Sequence, residues 1–357
     1  MSALKKLGVL VLSIGFVISL FGFAQLAEAK KEKPIVLRMS APWPDKGFAS
    51  ELMKWWGSTL EKRTNGKIKV EYYWGGILGT IRENLYALER GTCDVTILAN
   101  YIFEKNLPVF ELCTTLIGTF EKDPVITTKA FWQLSNEFPI MNREWETCNA
   151  KLMASWELGS YLFFSKKPIR TYNDLKGLKC GAWGARGSKD FLRELGAIPV
   201  SISSVEAYDA LDKGTMDARP CTTDMIVKYK YYEVGKYATE IGTGTLGAPV
   251  YVIAINLDKW KSLSPEFQEV FENVNKDFKG YFQERVREAW AKDVKFLKSE
   301  GMTFLEFSDA DKIKVRSLSV FETYKQKYIA RVKDAGYSAE LGEKIYNRYR
   351  ELVKHGK

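Results

Sequence analysis

From Pro34 onward the chain alternates strand-like and helix-like segments, and this order constrains its fold more than any other feature. PIVLRMSA is β-branched and partly alternating, as a strand is, and WPDKG breaks it before Leu52, Trp55, Trp56 and Leu60 recur at helical spacing. Asn65-Gly66 stops that helix, KIKVEYYW reads as the next strand, and Gly75-Gly76 breaks it. IRENLYALERG then reads as a helix ending on Gly91, and CDVTILA as a third strand. Strand, helix, strand, helix, strand is the grammar of a mostly parallel α/β sheet. Part of it recurs: Ala87-Leu88-Glu89-Arg90-Gly91-Thr92-Cys93-Asp94 is echoed by Ala210-Leu211-Asp212-Lys213-Gly214-Thr215-Met216-Asp217. Before the echo, LKCGAW and IPVSIS read as strands around the helix GSKDFLRELG. Two similarly wound lobes are expected. A helix-ending glycine followed by a buried strand makes the echo a statement about architecture rather than function.

Further on, APVYVIAIN (248–256) is a strongly apolar strand, and Ser264-Pro265-Glu266 opens a long helix with proline in its first turn. Phe267, Val270, Phe271, Val274, Phe278, Tyr281, Phe282, Val286, Ala289, Trp290 and Val294 keep one of its faces apolar. At 1.5 Å per residue it would reach about 50 Å, long enough to brace two lobes. Residues 309–353 read as further amphipathic helix broken at Gly336.

Composition narrows the chemistry. Of 357 residues only His355 is a histidine, which removes His-based acid/base work, Ser-His-Asp or Cys-His triads and His-ligated metals. The five cysteines (Cys93, Cys113, Cys148, Cys180, Cys221) form no C-x-x-C pair, and an odd count leaves at least one thiol unpaired. The formal charge of +9 is spread among acids, as in KSEGMTFLEFSDADKIKVR, so it reads as a solvated surface and not a nucleic-acid footprint. Gly242-Thr243-Gly244-Thr245-Leu246-Gly247 fits G-x-G-x-x-G literally but leads into a strand, so it is no dinucleotide fingerprint. Nothing calls for a cofactor or a metal ion.

The N-terminus carries an address. Lys5-Lys6 precede an apolar stretch from Leu7 to Ala24, and Ala27-Glu28-Ala29 closes it with an A-x-A site. A cleaved signal peptide over residues 1–29 is expected, with the mature chain starting near Lys30 in the periplasm.

Six segments, in order, resemble the solute-binding subunits of tripartite ATP-independent periplasmic (TRAP) transporters, of the dicarboxylate-binding P-subunit type. They are LEKRTNGKIKVEYYWGGILG (60–79), ENLYALERGTCDV (83–95), KKPIRTYNDLKGLKCGAW (166–183), ELGAIPVSISSVEAYDALDKGTMDA (194–218), KYYEVGKYAT (230–239) and INLDKWKSLSPEFQEVF (255–271). The resemblance implies an α/β periplasmic-binding-protein fold: two α/β lobes with a hinge cleft, crossing strands and a long helix spanning both lobes. It implies lobe one at 34–153 plus about 245–262, lobe two at 154–244, the spanning helix at 263–300 and a C-terminal helical segment at 301–357 packed on the lobes. The implied partners are a small-molecule ligand and the integral membrane subunits of the transporter.

The departures from the family pattern bear on the ligand. Most members hold a carboxylate with an arginine in the segment resembling DLKGLK-x-R, but here Gly181 stands in that place. A second family arginine falls near Tyr161, and the family's asparagine near Cys221 or Thr222. Glycine or tyrosine cannot reproduce a bidentate guanidinium fork. Arg186, at a helix start, or Arg219, two residues after Asp217, could restore a carboxylate clamp. Alternatively Trp43, Trp156, Tyr161, Phe163 and Trp183, with Glu157 and Asp224, would form an aromatic and acidic box for an amine, quaternary ammonium or neutral solute. Asn100 and Ser204 complete the candidate ligand contacts. A competing class, a secreted hydrolase, would pair carboxylates such as Glu157, Asp217 and Asp224 across the cleft.

Overall fold

The computed structural model describes residues 33–99, 102, 103, 105–114, 118–157, 159–183, 187–244 and 250–356. The expected signal peptide lies outside them. In chain order the strands are β1 (Ile35–Ser40), β2 (Ile68–Tyr73), β3 (Val95–Ala99), β4 (Ala150–Glu157), β5 (Leu162–Ser165), β6 (Lys179–Gly181), β7 (Ile198–Val200), β8 (Ala218–Cys221), β9 (Tyr237–Glu240), β10 (Val250–Asn256) and β11 (Thr303–Glu306). The helices used below are α1 (Phe48–Arg63), α2 (Pro124–Glu137), α3 (Thr223–Lys228), α4 (Pro265–Ser299), α5 (Val320–Asp334) and α6 (Ala339–His355).

Two sheets form, in the orders β2-β1-β3-β10-β4 and β7-β6-β8-β5-β9-β11. Their frames match over five strands, and β11 is added at the edge of the second. In the first, β1 pairs parallel with β2 and β3; in the second, β6 pairs parallel with β7 and β8. The fourth strand of each sheet is antiparallel to both neighbours, β10 in one and β5 in the other. Each of these strands arrives from the opposite lobe, so it runs against the local direction. The chain therefore crosses between lobes at β4–β5, again at β9–β10, and a third time along α4. Tyr161 N donates to Gly244 O at 3.2 Å, tying the first two crossings together.

The octapeptide echo is a structural repeat. Asp94 accepts from Arg38 N at 2.9 Å, and Asp217 accepts from Lys179 N at 2.8 Å. Arg38 Nη2 reaches Gly91 O at 2.8 Å, and Lys179 Nζ reaches Gly214 O at 2.9 Å. Both glycines take φ of 70°, the left-handed conformation that ends the preceding helix and returns the chain to the sheet.

Each sheet buries its apolar strands under helices. α1 sets Leu52, Met53, Trp56 and Leu60 against the first sheet and stops where Asn65 and Gly66 turn left-handed. α4 begins at Ser264, whose Oγ accepts from Phe267 N, with Pro265 in the first turn. Its 35 residues bury Phe271, Val274, Phe278, Phe282 and Val286. Trp290 lies on that same face but is 52% exposed. There the helix borders a cavity of about 560 Å³ together with Leu162 and Phe304.

Two sequence boundaries are corrected. Residues 154–157 continue β4 in the first sheet, because Glu157 pairs with Val250 there. The C-terminal segment opens with β11, which pairs parallel with β9 in the second sheet, and is not helical throughout. Its helices then fasten both lobes. From the start of α5, Tyr324 Oη donates to Asp190 at 2.7 Å and Val320 N to Glu194 at 3.2 Å. From its far end, Tyr328 Oη donates to Val109 O at 3.1 Å and Arg331 pairs with the buried Glu111.

Candidate ligand-binding cleft

In α/β sheets of this kind ligands meet the loops at the carboxyl ends of the strands. The loops after β1 and β8 approach each other here. Asp224, near the start of α3, accepts from Phe48 N at the start of α1 at 3.2 Å, joining lobe two to lobe one. This carboxylate caps an interlobe contact and does not serve an open acidic box.

Lobe two contributes a buried cation. Cys180 of β6 lies beside Ala218 of β8, so Gly181 neighbours Arg219. A Cβ on Gly181 would stand 3.3 Å from Arg219 Cγ and Nη1 and 2.6 Å from Met216 Sδ. The arginine side chain thus starts in the space that glycine leaves open. Arg219 is 3% exposed; Nη1 donates to Ile202 O and Nη2 to Ser204 Oγ, both at 2.9 Å. Its Nε has no hydrogen-bond partner, and no carboxylate pairs with it among the described residues. Buried charges in native proteins are paired, so a guanidinium held only by neutral oxygens is poised for an anion.

Next to it stands an aromatic ledge. Ser204 O accepts from Tyr231 Oη, and Tyr231 stacks on Tyr229 with ring centroids 5.6 Å apart. Lys228 Nζ lies 5.6 Å from the Tyr229 centroid and 5.4 Å from that of Trp43, in the loop after β1. Burial pulls the Lys228 ammonium below the ordinary lysine range, with the Asp224 charge opposing that shift. Trp43 in turn packs edge-on against Tyr251 of β10 at 5.3 Å. Trp43, Lys228, Tyr229, Tyr231, Ser204 and Arg219 therefore form one chain of contacts running from lobe one to lobe two.

Other sequence candidates fall elsewhere. Trp156 is fully buried behind Tyr251, between it and Phe278. Glu157 is buried against the helices, where Tyr349 Oη donates to it at 3.1 Å and its own N donates to Thr128 Oγ1 at 3.0 Å. Tyr161 and Trp183 form a separate pair, 6.0 Å apart, with Trp183 packed on Phe191, and Phe163 is wholly enclosed. Cys221 points into the core and burial pushes its thiol up to about 12. Thr222 caps α3, accepting from Met225 N at 3.4 Å. Asn100 and Arg186 lie outside the described residues. The five aromatic candidates are thus not brought together, because their strands send Trp156 and Phe163 into the cores, as they do Cys221, the position of the family's asparagine. The sequence reading passed over Lys228, Tyr229 and Tyr231, whose signal was the alternation of lysine and tyrosine in KYKYY (228–232).

Two matched sheets joined by three crossings form a two-lobe frame, with a buried cation in lobe two that has no carboxylate partner among the described residues. A family model, bacterial extracellular solute-binding protein, family 7, matches residues 39–330, and the chain belongs to that family. It is the solute-binding subunit of a TRAP transporter, a receptor that works with membrane subunits. The 2,3-diketo-L-gulonate-binding periplasmic protein of Escherichia coli is 26% identical over 73% of this chain and 80% of its own length. A TRAP periplasmic solute binding protein from Desulfovibrio salexigens superposes with a TM-score of 0.79 at 22% identity, covering 90% of this chain and 97% of its own. A marine-metagenome TRAP solute binding protein specific for aromatic acid ligands, in complex with metahydroxyphenylacetate, gives 0.78 at 20%, covering 90% and 98%.

Proposed function

We propose that the protein is exported, loses residues 1–29, and captures an organic acid whose carboxylate sits at Arg219, delivering it to the membrane subunits. The observation that carries this is the buried Arg219 guanidinium with an orphan Nε beside Gly181, the place where the family pattern has its own arginine. A carboxylate there would receive charge-assisted bonds that water does not screen. That related proteins bind diketogulonate and aromatic acids supports the same class. An amine is disfavoured: the Trp43 face already carries the Lys228 ammonium, and a second cation would meet repulsion.

Binding without turnover is the companion proposal. The three carboxylates a hydrolase would need serve separate contacts: Glu157 with Tyr349, Asp217 with the Lys179 backbone, Asp224 with the Phe48 backbone. Closure then follows from a ligand that touches both lobes and stabilises the closed state selectively.

The direct experiment is mass spectrometry of small molecules released from protein purified without refolding, paired with a thermal-shift panel of carboxylic acids and amines. A released acid, and upward shifts confined to acids, are expected. Shifts from amines with none from acids overturn the acid reading, and product formation from any shifting compound overturns the binding-only reading.

A further inference from the structure

Arg219 is not the only cation here without an ion-pair contact among the described residues. Lys228 Nζ is half-buried at the end of α3 and makes neither a hydrogen bond nor an ion pair among the described residues. Only ring faces hold it, Tyr229 from its own lobe and Trp43 from the other. The nearby Asp224 carboxylate is engaged by Phe48 N and lies beyond ion-pair distance. Lys228 lies over Tyr229, which stacks on Tyr231, and Arg219 is joined to Tyr231 through Ser204. Asp224 acts on Lys228 only from beyond contact, so each of the two partly desolvated cations still lacks a contacting anion, and a single anionic group supplies only one of them.

We propose that Lys228 is a specificity-determining residue: with one carboxylate of the solute at Arg219, it takes a second anionic group of the same solute against the Trp43 ring. This rests on the acid reading above. The first group binds within lobe two alone. The second is met where lobe two touches lobe one, so it is the contact that rewards bringing the lobes together. A compact solute with its acidic groups at opposite ends matches this arrangement; a monoacid of equal size leaves the ammonium on the rings.

The test compares matched probes, butyrate with succinate and benzoate with isophthalate, by calorimetry on the full mature chain. Wild type is expected to favour the diacid of at least one pair by about tenfold or more, the scale of one charged hydrogen bond. Lys228→Met should collapse that preference, and Lys228→Arg should restore most of it, with melting temperature confirming that both variants fold. Wild type that binds mono- and diacids equally, or Lys228→Met that keeps the preference, overturns the role of Lys228 and leaves that of Arg219 standing. Wild type that binds none of the four acids while amines bind overturns the acid reading and this role with it.

Discussion

The two lobes share a frame and differ at one matched position. In lobe one, β1 and β3 pair Ser40 with Thr96; in lobe two, the corresponding residues of β6 and β8 are Gly181 and Arg219. The first pair is self-contained: Ser40 Oγ bonds Asn84 Oδ1 at 3.0 Å and Thr96 Oγ1 donates to Ser40 O at 3.1 Å. The second pair is open, with a glycine vacating space and an arginine filling it without a counter-ion among the described residues. The same two strand positions thus hold a closed set of neutral hydrogen bonds in one lobe and a buried guanidinium in the other. What lobe one sets against Lys228 of lobe two is instead aromatic, the Trp43 ring packed on Tyr251.

The largest effect should come from breaking that contrast at its charged member. Arg219→Met is expected to cost about 2–5 kcal/mol of acid binding, the usual price for truncating one side of a buried charged pair. The unliganded protein should melt no lower, because a buried cation without a counter-ion is itself destabilising. Thr96→Val at the matched site should do the reverse, losing about 1 kcal/mol of stability and leaving the affinity unchanged. Calorimetry and thermal melts on the two variants separate the roles; an Arg219→Met protein that binds acids normally would falsify the assignment.

A smaller loss is expected at the glycine. Gly181→Ala places a methyl 2.6 Å from Met216 Sδ and 3.3 Å from Arg219, so the flexible thioether must move and the guanidinium shifts with it. Overpacking of this kind costs about 1–3 kcal/mol of stability, and acid affinity should fall along with it. Ser40→Ala in lobe one lacks that steric conflict and should cost only the bond to Asn84. Equal losses of affinity in the two variants would mean that the glycine does not make room for the arginine.

How much of this was legible beforehand follows from what kind of signal each feature leaves. The repeated frame was visible because strand and helix periodicity, helix-ending glycines and the Asp94 and Asp217 strand entries are all local in sequence. The crossings were partly visible through APVYVIAIN, but the four-residue error at 154–157 arose because β4 runs on into the crossing without a turn residue. The cleft was harder to read. Arg219 was a candidate because it sits near the expected segment, yet its adjacency to Gly181 depends on β6 pairing with β8. That pairing joins residues 38 positions apart. Trp156 and Cys221 misled for a related reason: only the sheet's alternation decides which side chain meets the cleft and which the core. Lys228 was missed because its meaning comes from Trp43, which belongs to the other lobe.

The smallest predicted effect concerns the junction between the lobes and is read by pH. Asp293 of α4 is pushed up to about 6, first by burial and then by the charge of Asp224, the residue that caps α1 across the lobes. A carboxyl with a folded pKa near 6 and an unfolded value near the usual aspartate figure of about 3.9 binds more protons folded than unfolded between those values. Its contribution to stability is therefore fully present below about pH 4 and is lost as pH rises through 6, the opposite of a salt-bridged carboxylate. Asp94 supplies that opposite case: hydrogen bonds from Arg38 hold its pKa down against the effect of burial, so its stabilisation is present at neutral pH and fades in acid. Asp293→Asn removes a buried charge beside Asp224 and should raise the melting temperature at pH 8 more than at pH 5. Asp94→Asn should lower it at pH 8 and matter less in acid. Melting curves collected across that range test both signs at once, and an Asp293→Asn profile parallel to wild type would remove Asp293 from the interlobe junction's electrostatics.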